Sequence, residues 1–137
     1  MRRWIQRLGS RRAELDEAAF ALPVLLLVSL GLVNLALLGF AAINAGNAAN
    51  YGARMGSMAQ TAPVSAAYAA AQNKLSAVRV GNYTVSVTGG GQPGSPITVS
   101  VTYRVPNYFG GLGRLFGVST PAEFQGRANA IFRQEGW

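Results

Sequence analysis

Ionisable side chains that could perform chemistry are scarce in this chain, and the acidic ones are concentrated in one place. The 137 residues include five acidic residues, no histidine and no cysteine. The commonest general base, the commonest metal ligand and every thiolate are therefore missing. Apart from the cluster of Glu14, Asp16 and Glu17, a carboxylate pair for acid–base catalysis could come only from Glu123 and Glu135. We therefore expect no enzymatic activity, no cofactor and no metal site.

Two other patterns bear on ligand binding. The stretch GGLGRLFG at 110–117 is rich in glycine, but it lacks the Gly-Lys-Ser/Thr ending and the strand–loop–helix frame of a phosphate-binding loop. The net charge is +7, and five of the twelve basic residues lie in the first twelve positions. This clustering favours a membrane-topology signal over a nucleic-acid-binding patch.

An apolar segment directly follows the acidic cluster, so the placement of this segment decides where the cluster lies. Residues 18–43 contain no charged side chain, and as a helix they would extend about 39 Å, against about 30 Å of membrane hydrocarbon. The alternatives are a cleaved signal peptide, whose apolar core is usually shorter, and a buried soluble helix, which is rarely apolar all round. The sequence predicts a retained transmembrane helix with its N-terminus in the cytoplasm, since positive residues stay on that side.

Glu17 and Pro23 stand out within this segment. Acidic residues at a helix N-terminus complement the helix dipole, but Glu17 directly abuts the apolar run. An ionised carboxylate in lipid is costly, so we expect Glu17 to have a positive partner. Pro23 lies six residues after Glu17 and removes one backbone hydrogen bond, so we expect it to kink or loosen the helix.

The stretch EAAFALPVLLL at 17–27 resembles the N-terminal signature of TadE-like proteins, the minor pilins or pseudopilins of the tight-adherence (Tad/Flp) pilus system. ANYGAR at 49–54 and ANAIFRQE at 128–135 are similar to later parts of the family pattern. The resemblance implies an inner-membrane protein that assembles an adhesive pilus with other pilins and an inner-membrane assembly platform. It also implies that a prepilin peptidase cuts some members after a glycine, leaving the glutamate fifth in the mature chain.

The processing site departs from that pattern, and three alternatives stay open. A cut between Arg12 and Ala13 would make Glu17 the fifth residue, but it would follow an arginine. A cut after Gly9 would make Glu14 the fifth residue. If the chain stays uncut, Arg11 or Arg12 of a neighbouring copy supplies the positive partner of Glu17.

Helical character continues past the apolar segment to about residue 60, with small residues at regular spacing. Glycine inside a helix is unfavourable relative to alanine, so Gly46, Gly52 and Gly56 favour a packing role, most simply at a contact between subunits. A stripe of alanines has the same spacing of four residues, although alanine is also simply the best helix former: Ala41, Ala45, Ala49 and Ala53.

The remaining chain predicts a small α+β head. Pro63 is expected to end the first helix, and an amphipathic helix at 64–78 should pack its apolar face on a sheet. That face comprises Val64, Ala67, Tyr68, Ala71, Leu75 and Val78. Alternating apolar and polar residues predict strands at 82–89 and 97–105 joined by a glycine-rich hairpin loop, and a third strand after Pro121.

The segment at 106–120 is unusually apolar for a loop. Its large side chains suggest either a flap folded onto the core or a contact surface for another pilin or the membrane. These side chains include Tyr108, Phe109, Leu115 and Phe116.

Together these patterns predict a pilin-like α+β protein with a long N-terminal transmembrane helix and a small outward-facing antiparallel three-stranded sheet domain. The regions are a cytoplasmic basic leader at 1–12, a transmembrane and assembly helix at 13–60, and an extracytoplasmic head at 61–137. The predicted function is a minor pilin or assembly subunit of a Tad/Flp-type pilus in the inner membrane. Alternatives are a membrane-anchored scaffold outside any filament, and a soluble module released by cleavage near Asn44.

Overall fold

The computed structural model describes the backbone of residues 2–115 and 117–135, and the side chains of residues 17–114 and 117–135. In chain order the elements are α1 (Arg2–Met58), α2 (Pro63–Leu75), β1 (Asn82–Gly89), β2 (Pro96–Pro106), α3 (Gly110–Leu115) and β3 (Glu123–Arg133). A long apolar N-terminal helix and a three-stranded antiparallel sheet confirm the predicted α+β layout.

The first helix is one continuous element of 57 residues, which corresponds to about 86 Å at the usual rise per residue. The helix continues through Pro23 without interruption. It ends at Met58, and Pro63 begins α2, where its missing N–H group has no helical partner to lose. Between the two helices Ala62 takes the left-handed conformation, with φ of 49°, which turns the chain so that α2 packs back on α1.

The sheet has the order β1-β2-β3, with every neighbouring pair antiparallel. The strand boundaries agree with the alternation in the sequence to within one or two residues. Opposite Tyr103 on β2 lies Gly126 on β3, and the tyrosine ring covers the position that a side chain would take there. Gly126 therefore makes room for an aromatic ring that would otherwise clash across the strands.

The core lies between the sheet, α2 and the C-terminal part of α1. Its largest fully buried side chains are Ile97, Val99, Val101 and Val105, all on β2. The facing helix contributes alanines that are completely buried: Ala45, Ala48, Ala49 and Ala53. The predicted alanine stripe of α1 is thus a core surface of the head.

The second helix buries a narrower stripe than its sequence pattern predicts. Ala67, Ala71 and Leu75 are buried, whereas Val64 and Tyr68 are 39% and 45% exposed. The prediction that Val64 and Tyr68 belong to the core is wrong. The reason is that α2 approaches α1 closely along its small residues, and this close approach leaves its larger side chains at the edge of the contact.

A hydrogen-bonded tie joins the end of α1 to the hairpin loop through the segment after β3. The buried Gln134 accepts a hydrogen bond from the N–H of Gly91 at 2.9 Å through its side-chain oxygen, and its side-chain amide donates to the carbonyl of Ala59 at 3.4 Å. The N–H of Glu135 donates to the carbonyl of Ser57 at 2.9 Å. These contacts fix the C-terminal end of α1 against the loop that joins β1 and β2.

Candidate functional site

The N-terminal part of α1 presents an extended apolar surface. Within residues 17–58, α1 is long and apolar enough to cross a membrane, and almost none of its most apolar stretch is buried. Phe20 is 81% exposed. Other large apolar side chains that are exposed on this part of the helix are Leu22, Val24, Leu25, Leu26, Val28, Leu32, Val33, Leu35, Phe40 and Ile43. Such a surface is stable only against lipid or against other apolar helices.

The residues predicted to guide assembly at the N-terminal end lie on this surface. Glu17 and Pro23 are both exposed. Pro23 flanks a shallow groove whose opposite wall is formed by Leu112 of α3. The side chains at the predicted processing positions, Gly9 with Arg12 and Ala13, lie outside the residues whose side chains the structure describes.

Gly52 and Gly56 face α2 of the same chain. A Cβ atom added to Gly52 would lie 2.8 Å from the carbonyl oxygen of Ala67 and 2.9 Å from the Cβ of Ala71. One added to Gly56 would lie 2.7 Å from the Cβ of Ala67. The structure therefore accounts for both glycines by a close helix–helix contact within the monomer, where the sequence pattern alone favoured a contact between subunits.

Gly46 differs from the other two glycines. A Cβ added there would meet nothing within 4 Å, and Gly46 is half-buried on α1. Its carbonyl oxygen accepts a hydrogen bond from the side chain of Asn50 at 2.9 Å. Of the three glycines predicted to serve assembly, Gly46 is the one whose position leaves space for a neighbour.

The described residues between β2 and β3 fold into a defined loop, which we call the flap (residues 107–115 and 117–120). The flap contains α3, a short helix that the sequence pattern did not predict. The hydroxyl of Thr120 donates to the carbonyl of Gly110 at 3.0 Å, and the N–H of Val118 donates to the carbonyl of Gly113 at 2.9 Å. At its base, the side-chain amide of Asn107 donates to the carbonyl of Pro121 at 3.0 Å. The flap is thus closed by its own hydrogen bonds.

The flap lies against the apolar part of α1. The side-chain amide of Asn34 donates to the side-chain oxygen of Asn107 at 2.9 Å, which joins the two segments across 73 positions of sequence. The side-chain oxygen of Asn34 is buried and has no hydrogen-bond partner among the described residues. A groove of about 310 Å³ runs beside this pair, and most of its lining is apolar: Leu27, Leu30, Leu35 and Leu38 from α1, and Phe109, Leu112 and Phe124 from the flap side.

Of the four predicted interaction residues of the flap, two have side chains that the structure describes. Phe109 is half-buried and faces the groove, whereas Tyr108 is 59% exposed. The side chains of Leu115 and Phe116 lie outside those that the structure describes. The flap is joined to α1 by the hydrogen bond between Asn34 and Asn107. This placement could not be predicted, because Asn34 was visible in the sequence only as an isolated polar residue in an apolar run.

Known proteins supply no assignment for this arrangement. Within the residues whose side chains are described, no three acidic side chains come together in a way that could hold a metal ion. Comparison of the chain with models of protein families, with curated proteins and with solved structures gave no match. The described surfaces of the chain are an exposed apolar half of α1, a flap joined to it, and a head built on the other half.

Proposed function

We propose that the chain is a single-pass subunit of a Tad/Flp-type pilus, either a minor pilin or a pilus-assembly subunit, which acts by helix–helix packing in the membrane or the filament. The observation that carries this proposal is the division of α1 into two parts. Its exposed apolar part around Phe20 continues without a break into the part that forms the core of the head. One element can therefore serve as a membrane anchor and as an assembly surface, without catalysing a reaction.

The proposed topology follows from the charges that flank the apolar surface. The N-terminal arginines stay in the cytoplasm, and the head lies in the periplasm or outside the cell. The proposed partners are other pilins and an inner-membrane assembly platform, which the resemblance to TadE-like proteins suggests. Neighbouring copies would meet along the exposed face of α1, where Gly46 leaves space for a close approach.

A second function is favoured by the flap. In a filament, α1 packs against neighbouring helices, but the flap already lies beside one side of α1, across a groove lined by α1 residues from Leu27 to Leu38. That arrangement suits a membrane-anchored scaffold of an envelope or secretion complex that is not incorporated into a filament. A scaffold needs only one free helix face, whereas a central filament subunit needs several.

Fractionation of native cells separates these proposals. A filament subunit is expected in surface fibres that are removed by shearing, together with other pilins. A scaffold is expected to remain in the membrane after shearing. If the chain is recovered in the soluble fraction and lacks residues 18–43, both proposals fail and the released module stands.

The mass of the intact protein from native membranes tests how Glu17 is used. A mature chain that starts at Ala13 supports pairing of Glu17 with the new N-terminal amine of a neighbour. A start at Ser10 moves that role to Glu14. An uncut chain leaves an arginine of the neighbouring leader as the partner of Glu17.

The contact at Gly46 is tested by replacing it with leucine. If neighbours approach there, Gly46→Leu is expected to abolish co-purification of partner subunits. Asn47→Leu, at an adjacent exposed position, is the matched control. Equal recovery of partners with both variants would exclude Gly46 from the contact.

A further inference from the structure

The flap contacts α1 at a depth that the hydrocarbon of a membrane would occupy. Glu17 is the last charged residue before the apolar segment, so the segment cannot move outward, away from the cytoplasm, without carrying a carboxylate into lipid. With Glu17 at the cytoplasmic edge, about 30 Å of hydrocarbon ends about 20 residues later, near Leu37. Leu27 and Asn34, which line the groove under the flap, then lie about 15 and 26 Å from the cytoplasmic edge, and both are inside the hydrocarbon.

Keeping the flap out of lipid would require a less favourable arrangement. The hydrocarbon would have to end before Leu27, and even the shortest span of about 17 residues would then reach back to Ser10. That span carries five charged side chains into lipid: Arg11, Arg12, Glu14, Asp16 and Glu17. Immersion of the flap carries in a single one, Arg114. Since each charge near the bilayer centre has a large free-energy penalty, the immersed flap is the favoured arrangement.

The flap also meets part of the requirement that lipid imposes on backbone groups. A non-helical segment at membrane depth must have its polar groups satisfied within the protein. The bond from Thr120 to Gly110 and the bond from Val118 to Gly113 close the loop internally. The base of the loop is held by Asn107, which is bonded both to the carbonyl of Pro121 and to Asn34 of α1.

We infer that the flap is a membrane-immersed part of the head, which lies in the outer half of the hydrocarbon beside α1 and has phospholipid acyl chains as its partner. The inference rests on the membrane-spanning arrangement of the proposed function. The bond between Asn34 and Asn107 attaches the flap to α1 at the level of the lipid. The groove of about 310 Å³ between them is lined by leucine and phenylalanine side chains and accommodates acyl chains. Tyr108 and Val118, 59% and 54% exposed, face these chains directly.

Cysteine accessibility tests the inference, because the chain contains no native cysteine. Single variants Tyr108→Cys and Val118→Cys report on the flap. Leu25→Cys, at an exposed position on α1, is the control for lipid, and Thr88→Cys, exposed on β1, is the control for water. The full chain is reconstituted into vesicles of phosphatidylcholine and phosphatidylglycerol and treated with a water-soluble maleimide. A maleimide reacts with thiolate, which does not form in hydrocarbon.

The expected result is complete modification of the cysteine at position 88, and loss of modification at positions 25, 108 and 118. Addition of detergent should restore modification at the two flap positions, which shows that the membrane environment and not the fold of the chain itself protected them. If positions 108 and 118 are modified in intact vesicles while position 25 is protected, the inference is overturned and the membrane anchor stands. If position 25 is also modified, the span itself fails and the proposed function loses its basis.

Dilution of the protein in lipid distinguishes acyl chains from a second copy of the chain. Protection of positions 108 and 118 that persists as the ratio of protein to lipid is lowered supports the lipid contact. Protection that disappears on dilution, while position 25 remains protected, assigns the flap to a contact between copies and overturns the inference.

Discussion

The contact between α1 and α2 allows the effect of one added methyl group to be calculated at three glycines of the same helix. Replacing a helical glycine by alanine stabilises the helix by about 0.5–1 kcal/mol, because the unfolded chain loses freedom. At Gly46 nothing lies within 4 Å of the added Cβ, so Gly46→Ala is expected to show this gain alone.

At Gly56 the same gain is opposed by overpacking. The added Cβ would lie 2.7 Å from the Cβ of Ala67, whereas carbon atoms normally pack at about 3.5–4.0 Å. The two helices must therefore separate by about 1 Å, and overpacking of this kind costs about 1–3 kcal/mol. Gly52→Ala meets a backbone carbonyl, that of Ala67, at 2.8 Å and should behave in the same way.

The helix-propensity gain is common to all three variants. The difference in stability between Gly52→Ala or Gly56→Ala and Gly46→Ala therefore isolates the cost of overpacking. Thermal unfolding of the full chain in detergent micelles, followed by near-ultraviolet circular dichroism of the head, measures it. About 1 kcal/mol shifts the midpoint of a domain this small by about 4–8 °C. Gly52→Ala and Gly56→Ala should therefore unfold at least about 4 °C below Gly46→Ala. If all three variants gain stability equally, the close contact between α1 and α2 is refuted.

Three further outcomes follow from the head and the flap. Burial raises the pKa of Tyr83 above its ordinary value of about 10, so the folded state holds the phenol proton more tightly than the unfolded state does. The stability of the head should therefore fall as the pH rises above about 10. Tyr83→Phe should weaken that fall when unfolding midpoints are measured against pH. Ile97→Ala should destabilise the head by about 2–5 kcal/mol in denaturant unfolding, because Ile97 is fully buried, whereas Ile131→Ala at an exposed position should change stability by about 0.5 kcal/mol or less. Asn34→Leu removes the hydrogen bond that holds the flap to α1. In micelles, trypsin should therefore cleave this variant after the exposed Arg114 faster than it cleaves the unmodified chain. An unchanged cleavage rate would show that apolar packing alone holds the flap.

The strands could be predicted from the sequence because their signal is local. Alternation of apolar and polar residues at 82–89 and 97–105 gave β1 and β2 nearly to the residue, since the period of two is set by neighbouring side chains. The apolar length of α1 was equally visible. These elements could be predicted without knowing which other elements pack against them.

The partner of each surface could not be predicted in the same way. Small residues such as Gly52 and Gly56 indicate a close approach of backbones, but they do not specify which helix approaches. The partner proved to be α2 of the same chain. The bond between Asn34 and Asn107 joins residues 73 positions apart, and neither residue carries a local pattern that would connect them.

The tie at Gln134 has a consequence for the order in which the protein is made. Synthesis releases α1 long before the segment that follows β3, yet Gln134 joins the end of α1 across 75 positions of sequence. The alanine face of α1 therefore emerges from the ribosome without its covering, and the anchor can enter a translocon while the domain it will carry is still a nascent chain. Export and maturation of the head are then successive events, and a chain arrested between them would be tethered but unfolded.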